Sequence, residues 1–171
     1  MRLLTSMTSV LIKFMDQHSS FQDTAPADDR ILVTVDDAYA LARVIGRGSF
    51  KVSRSLKEFA ARVLDTGNPV FLLDLQHCIG MDSTFMGVLA GISQRQYKEC
   101  GRKLILCGVS DKLISLMNTL GLNHLVEIQE DIPGETNQDF SELEDACETP
   151  LDSANTMLEA HEKLVEINGD N

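Results

Sequence analysis

Val70-Phe71-Leu72-Leu73-Asp74-Leu75 begins the stretch that decides the fold, and Gln76-His77-Cys78-Ile79-Gly80-Met81-Asp82-Ser83-Thr84-Phe85-Met86-Gly87 completes it. The first six residues are a continuous apolar run broken by one Asp, the pattern of a central strand buried on both faces. A loop follows, then a helix expected from about Thr84 to Glu99. Val88, Leu89, Ile92 and Gln96 form its inner stripe, Phe85 lies near its start, and Gly101 stops it. Asp82, Ser83 and Thr84 stand in a row where the loop becomes the helix. Side chains of this kind accept hydrogen bonds from the free amides of a first turn, so capping alone accounts for them. A site that uses one of the hydroxyls for chemistry is the competing explanation.

Upstream, Ile31 to Val35 is a β-branched run, Asp36-Asp37 a turn signal, and Tyr39 to Ile45 a second strand, which together predict a hairpin. Ser53 to Asp65 has helical spacing, with Leu56, Phe59, Ala60, Val63 and Leu64 on one face and Arg54, Lys57, Glu58 and Arg62 on the other. Downstream, Lys103 to Cys107 reads as a strand. Ser110 is an N-cap for a helix over Asp111 to Leu120, Gly121 is its stop, and Leu125 to Ile128 is a last short strand. Strand and helix alternate from Tyr39 onward, which predicts an α/β domain with a partly parallel sheet.

The two ends differ from this middle. Residues 1–30 close in a polar, proline-containing run and read as a flexible leader. Ala25-Pro26-Ala27 has the small residues of a cleavage site, but the basic start is only Arg2, and Asp16, His18 and Asp23 precede it, so export is not expected. After residue 130 the composition turns acidic. The net charge of −11 belongs to that tail: residues 130–171 carry 13 acidic side chains against Lys163 alone, and the rest of the chain is close to neutral. The division predicted is a leader over 1–30, a domain over 31–130, an acidic linker over 131–152 and a C-terminal helix within 153–171. That helix, from about Ser153 to Ile167, carries Ala154, Met157, Leu158, His161, Leu164, Val165 and Asn168 on one largely apolar face. It should dock through Met157, Leu158, Leu164 and Val165, on its own domain or on another chain, which leaves self-association open.

Several chemistries are excluded. No strong basic stripe marks a nucleic-acid surface, and no apolar segment is long enough for a membrane helix. The four cysteines, Cys78, Cys100, Cys107 and Cys147, form no Cys-x-x-Cys pair, which speaks against a zinc site or a disulfide framework and for reduced thiols in a cytoplasmic protein. Cys78 and Cys107 read as core residues and Cys147 as an exposed thiol. His18, His77, His124 and His161 have no metal-ligand spacing and read as surface or satisfied histidines. Ser83 lacks the Gly-x-Ser-x-Gly setting of a hydrolase nucleophile. Ile45-Gly46-Arg47-Gly48-Ser49-Phe50-Lys51-Val52 resembles the glycine-rich loop of protein kinases. However, Lys51 stands where the third Gly belongs and no catalytic Asp motif follows, so a strand-to-helix turn is the better account. No enzyme activity, cofactor or metal is expected.

The central stretch resembles the STAS domain, the family of sulfate transporter and anti-sigma factor antagonist modules. The family pattern is a buried strand ending in Asp, a loop, then Asp-Ser-Ser-Gly-hydrophobic-Gly opening a helix. Here it is Asp74, then Asp82-Ser83-Thr84-Phe85-Met86-Gly87. Gly101 to Lys103, Leu104 to Ser110 and Leu120-Gly121-Leu122 follow in family order, so the resemblance covers about Ile31 to Glu130. It implies a mixed β-sheet with helices packed on it. It implies an antagonist that binds an anti-sigma factor, a GHKL-type serine kinase, is switched off by phosphorylation of Ser83, and is reset by a PP2C-type phosphatase. Asp82, Ser83, Thr84, Phe85 and Met86 become the expected partner-binding residues. Thr84 replaces the second Ser and keeps a hydroxyl. Phe85 replaces the first Gly and is expected to bring a large ring to the docking surface. A non-switching structural subunit of a transport or signalling assembly is the alternative that the same resemblance allows.

Overall fold

A hairpin opens the described chain: β1 (Arg30–Val35) runs antiparallel to β2 (Tyr39–Gly48), with Arg30 opposite Ile45 and Val35 opposite Ala40. Asp36 closes the turn, its Oδ1 accepting from the amides of Ala38 and Tyr39 at 2.7 and 2.9 Å. These two bonds favour the ionised carboxyl and hold the Asp36 pKa below its ordinary value. The structure, a computed structural model, describes residues 28–67, 70–133, 139–144 and 150–169. The leader up to residue 27 and Cys147 lie outside the described residues.

Helix α1 (Phe50–Asp65) returns the chain to β3 (Val70–Asp74), which lies parallel to β2. The short β4 (Cys78–Met81) pairs with the far end of β2 and leads into α2 (Ser83–Cys100). Then come β5 (Leu104–Cys107), α3 (Asp111–Thr119), a 3-10 turn (Leu122–His124) and β6 (Val126–Gln129). The two-residue β7 (Ser141–Glu142) and α4 (Pro150–Gly169) complete the described chain. The sheet order is β6-β5-β3-β2-β1-β7, with β4 beside β2. The four strands β6, β5, β3 and β2 are parallel neighbours, and β1 and β7 add an antiparallel edge. The expected α/β domain with a partly parallel sheet is therefore present.

The core explains the order. Phe71 to Leu75 are all buried, as a two-sided central strand requires. Phe59 of α1 packs on Phe71 of β3 with ring centroids 5.9 Å apart. Gln96, placed by its spacing in the apolar stripe of α2, is fully buried and ties that helix to the sheet. Its Oε1 accepts from the Phe71 amide at 2.9 Å and its Nε2 donates to the Lys103 carbonyl at 2.8 Å. A buried amide group with both ends bonded incurs no desolvation penalty for unpaired atoms. Gly101 ends α2 at φ 69°, its amide donating to the Tyr97 carbonyl.

Three features depart from the sequence expectations. Residues 78–81, read as loop, form β4: after the short turn at Gln76-His77 the chain keeps the direction of β3 and pairs in parallel with β2 beyond the point where β3 stops. Within the acidic segment, Ser141 and Glu142 pair with β1, the Leu143 amide donates to the Ile31 carbonyl at 2.8 Å, and the Phe140 ring stacks on the Arg43 guanidinium at 4.4 Å. Phe140 and Leu143 supply the apolar anchors that the surrounding carboxylates obscure.

The third departure is the face of α4. The helix docks in cis with Leu164 buried as expected, but its companions on that face are Thr156, Ala160 and Ile167. Leu158 and Val165, expected to be docked, are 59% and 70% exposed, and Met157 is only half-buried. Small residues let two helix backbones come close, so the centre of contact falls on Ala160 and the bulkier side chains are turned outward. Gly87 of α2 is the matching small residue: a Cβ there would stand 2.2 Å from the Ala160 carbonyl oxygen. The α2–α4 contact is the most extensive between any two elements among the described residues.

Candidate functional site

The start of α2 is built around one carboxylate. Asp82 takes extended backbone angles at the N-cap, and its Oδ1 accepts from the Phe85 amide at 2.8 Å. Its Oδ2 accepts from the Phe50 amide at 2.7 Å, the first residue of α1. One side chain thus caps two helices. Ser49, the residue in the N-cap position of α1, makes no capping bond of its own, which follows from Asp82 taking its place. The Asp82 amide donates to the Gly48 carbonyl at 3.0 Å, so the end of β2, the start of α1 and the start of α2 meet at this point.

With Asp82 as the cap, the hydroxyl of Ser83 has no capping task. Ser83 is exposed at the first position of α2, and its Oγ lies 3.1 Å from Nε2 of His161 on α4. The first-turn amides of a helix and its dipole favour negative charge at this point. A phosphoryl group on Ser83 would meet these favourable terms, the adjacent Asp82 carboxylate, and the His161 ring.

The remaining expected partner-binding residues divide differently. Asp82 is half-buried with both oxygens bonded. Thr84 and Met86 are buried, and Phe85 is 0% exposed. The expectation that Phe85 presents its ring at a docking surface is corrected here. Two residues beyond Ser83 on a helix is about 200° of rotation, so the ring faces the core when Ser83 faces out. It lies under Gly48, where a Cβ would come within 2.6 Å of the Phe85 Cδ1. The second glycine of the kinase-like Ile45–Val52 stretch, Gly48, thus makes room for an aromatic ring.

Asp74, the other landmark of the stretch, is structural. It is 1% exposed at the end of β3. Its Oδ2 is 2.5 Å from Nε of Arg43, and its Oδ1 accepts from the Gln76 amide at 2.9 Å. The nearby Cys107 thiol is pushed up to about 11, chiefly by burial, with the negative charges of Asp74 and Asp131 adding to it. Burial likewise raises Cys78. Both thiols stay protonated at neutral pH and are poor nucleophiles. Among the described residues no group of three or more His, Cys, Asp or Glu side chains is placed to hold a metal ion. No helix among them is long and apolar enough to cross a membrane.

A cavity of about 350 Å³ lies between α1, α2 and α4. Ala60, Leu64, Val88 and Ile92 give it an apolar floor, and Lys57, Arg95 and Glu159 are among the charged residues around it. Two ion pairs bind α4 to α1 beside it, Arg54 with Asp152 at 2.8 Å and Lys57 with Glu159. Glu58 and then Asp152, both hydrogen-bonded to the Arg54 guanidinium, push its pKa further above the ordinary arginine value.

A model of the STAS domain family matches residues 30–134, from the start of β1 past the end of β6. The chain belongs to the STAS domain family. In this STAS domain the matched segment contains the whole Asp82–Gly87 helix start, while α4 lies beyond it. Solved structures that resemble the chain include two of SpoIIAA. The anti-sigma factor antagonist SpoIIAA in its unphosphorylated form is 14% identical with a TM-score of 0.49, and the match covers 60% of this chain and 89% of that one. The Bacillus cell fate determinant SpoIIAA in the phosphorylated form is 16% identical with a TM-score of 0.48, and the match covers 60% and 92%. No curated protein matches the chain.

His161 is the site residue that the sequence pattern did not single out. Its signal was present: it is the one imidazole in the face proposed for the last helix. Its meaning depends on a contact across 78 positions of sequence, which periodicity does not encode.

Proposed function

We propose that this STAS protein is an anti-sigma factor antagonist controlled by phosphorylation of Ser83. In its unphosphorylated form it binds an anti-sigma factor that is also a GHKL-type serine kinase, and the sigma factor is released. Phosphorylated, it lets go, and a PP2C-type phosphatase restores it. The chain is the substrate of these enzymes, works in the cytoplasm and catalyses nothing itself. The single observation that carries this reading is the exposed Ser83 hydroxyl at the first turn of α2, freed from capping by Asp82.

The switch follows from charge. A phosphoryl group adds about −1.5 to −2 charges at neutral pH. The helix start tolerates them, so the fold persists. A partner surface shaped for a neutral hydroxyl then faces the phosphate and Asp82 together. A penalty of a few kcal/mol corresponds to about a hundredfold loss of affinity. The test is incubation with the cognate kinase and ATP, followed by mass spectrometry and a binding measurement. Phosphate on Ser83 with weakened binding supports the switch. Tight binding with no phosphate on Ser83 points instead to a non-switching subunit of an assembly. ATP turnover by the pure protein, abolished by substitutions within it, contradicts the claim that it has no catalysis of its own.

A further inference from the structure

The geometry points to a second role for α4: we propose that it is a displaceable mask, held in cis over the face of α2 that begins at Ser83, and that a partner must lift it to engage that face. The proposal rests on Ser83 being the regulated residue, as argued above. Helix α4 lies outside the matched STAS segment, yet it makes its main contact with the helix that carries the site.

Three observations converge. His161 of α4 holds the Ser83 hydroxyl at 3.1 Å. One turn further along α2, about 6 Å away, Gly87 touches the Ala160 backbone so closely that no side chain would fit between them. On the other flank, Asp152 and Glu159 of α4 pair with Arg54 and Lys57 of α1. A specific protein interface covers about 800 Å² of each partner. A footprint of that size centred on Ser83 includes Gly87, and so overlaps the ground that α4 occupies.

The mask is also built to come away. The centre of its contact is made of small groups, Thr156 and Ala160, and among the described side chains only Leu164 and Ile167 are large, apolar and buried. Leu158 and Val165 are largely exposed and contribute little to holding it. The flanking ion pairs are partly exposed and therefore weak. Ser83 itself is exposed with α4 in place, so a small reagent reaches it, whereas a partner that must enclose the hydroxyl meets α4. A partner that binds only the open form has its apparent affinity lowered by the fraction of time α4 is docked.

The experiment needs no kinase. In full-length Ser83→Cys protein, the thiol at position 83 is labelled with a bulky polyethylene-glycol maleimide and, separately, with iodoacetamide, which corrects for intrinsic reactivity. The ratio of the two rates is compared before and after adding Ala160→Arg or, independently, Leu164→Asp. The exposed Cys100 at the far end of α2 is the external control, and the buried Cys78 and Cys107 report on the domain. Site-resolved mass spectrometry separates the thiols. A working mask raises the ratio at position 83 by about tenfold, the shift expected in an opening equilibrium when one large buried contact is lost. Cys100 should not change, and Cys78 and Cys107 should stay unlabelled.

Any of three results overturns the proposal. An unchanged ratio while hydrogen exchange shows residues 150–169 released means α4 does not obstruct the site. Retained protection of 150–169 in both variants means it is not displaceable. Labelling of Cys78 and Cys107 means the domain does not hold together once α4 is released, so α4 is no mask. With kinase and ATP added, Ala160→Arg should be phosphorylated on Ser83 faster than the parent. No phosphate on Ser83 in either protein strikes the phosphorylation reading, while the labelling result decides the mask separately.

Discussion

Ser83 and Ser110 both stand where a loop becomes a helix, and they do opposite things. Ser110 is the N-cap of α3, and its Oγ accepts from the Leu113 amide at 3.4 Å. Ser83 comes one residue after the cap of α2, and its Oγ is turned to His161 on another helix. The difference is one position and one neighbour. Where a carboxylate takes the capping task, the hydroxyl beside it is available for chemistry. Where the serine is the cap, its hydroxyl is committed to the backbone.

Stability measurements by chemical denaturation can break or sharpen this contrast. The largest effect should come from Phe85→Ala, in the same turn as Ser83 but facing inward. Loss of a fully buried ring costs about 3–5 kcal/mol, and a cost near zero would mean the ring is not packed beneath Gly48. Asp82→Ala comes next, at about 1–4 kcal/mol, because one cap is worth about 0.5–2 kcal/mol and this carboxylate serves two helices. If Asp82→Ala costs no more than Ser110→Ala, the double cap does not hold. Ser110→Ala should cost about 0.5–1 kcal/mol, low in the capping range because its bond is long. Ser83→Ala should change stability by less than about 0.5 kcal/mol, because its hydroxyl caps nothing and its one bond, to His161, is exposed to competing water. A larger loss for Ser83→Ala than for Ser110→Ala would reverse the roles assigned to the two serines.

The order of β1, β2, α1, β3, α2, β5, α3 and β6 was legible because each element carries its own period. The continuous run at Val70–Leu75, the Asp36 turn, Ser110 and Gly101 are local signals, and local structure obeys them. Asp82, Ser83 and Thr84 were legible as a helix start, but not which of them would cap, since all three can. That choice is made by α1, whose first amide at Phe50 reaches across to Asp82 and fixes the carboxylate. The burial of Phe85 is hidden for a similar reason. At the family's glycine position a ring suggests an exposed addition, and only the packing against Gly48 shows that it faces inward. For α4, apolar size was a poor guide to the docked face, because Gly87 rewards close approach over bulk. In each case the deciding partner lies on a different element, beyond what spacing along one segment carries.

The separation along the chain between α4 and its anchors bears on the order of folding. Lys57 and Glu159 are 102 positions apart, and Ser83 and His161 are 78 apart. Closing loops of that length carries an entropic cost, although it grows only logarithmically with length. The strands and first three helices supply most of the central core, whereas α4 adds Ala160, Leu164 and Ile167 to it from the outside, on a surface that must already exist. It should therefore be the last element to arrive during refolding and the first to depart under mild denaturant, as a separate unit of local opening. Native-state hydrogen exchange would show this as amides of 150–169 exchanging at lower denaturant than those of β3. Coincident exchange of the two segments would make the chain a single cooperative unit.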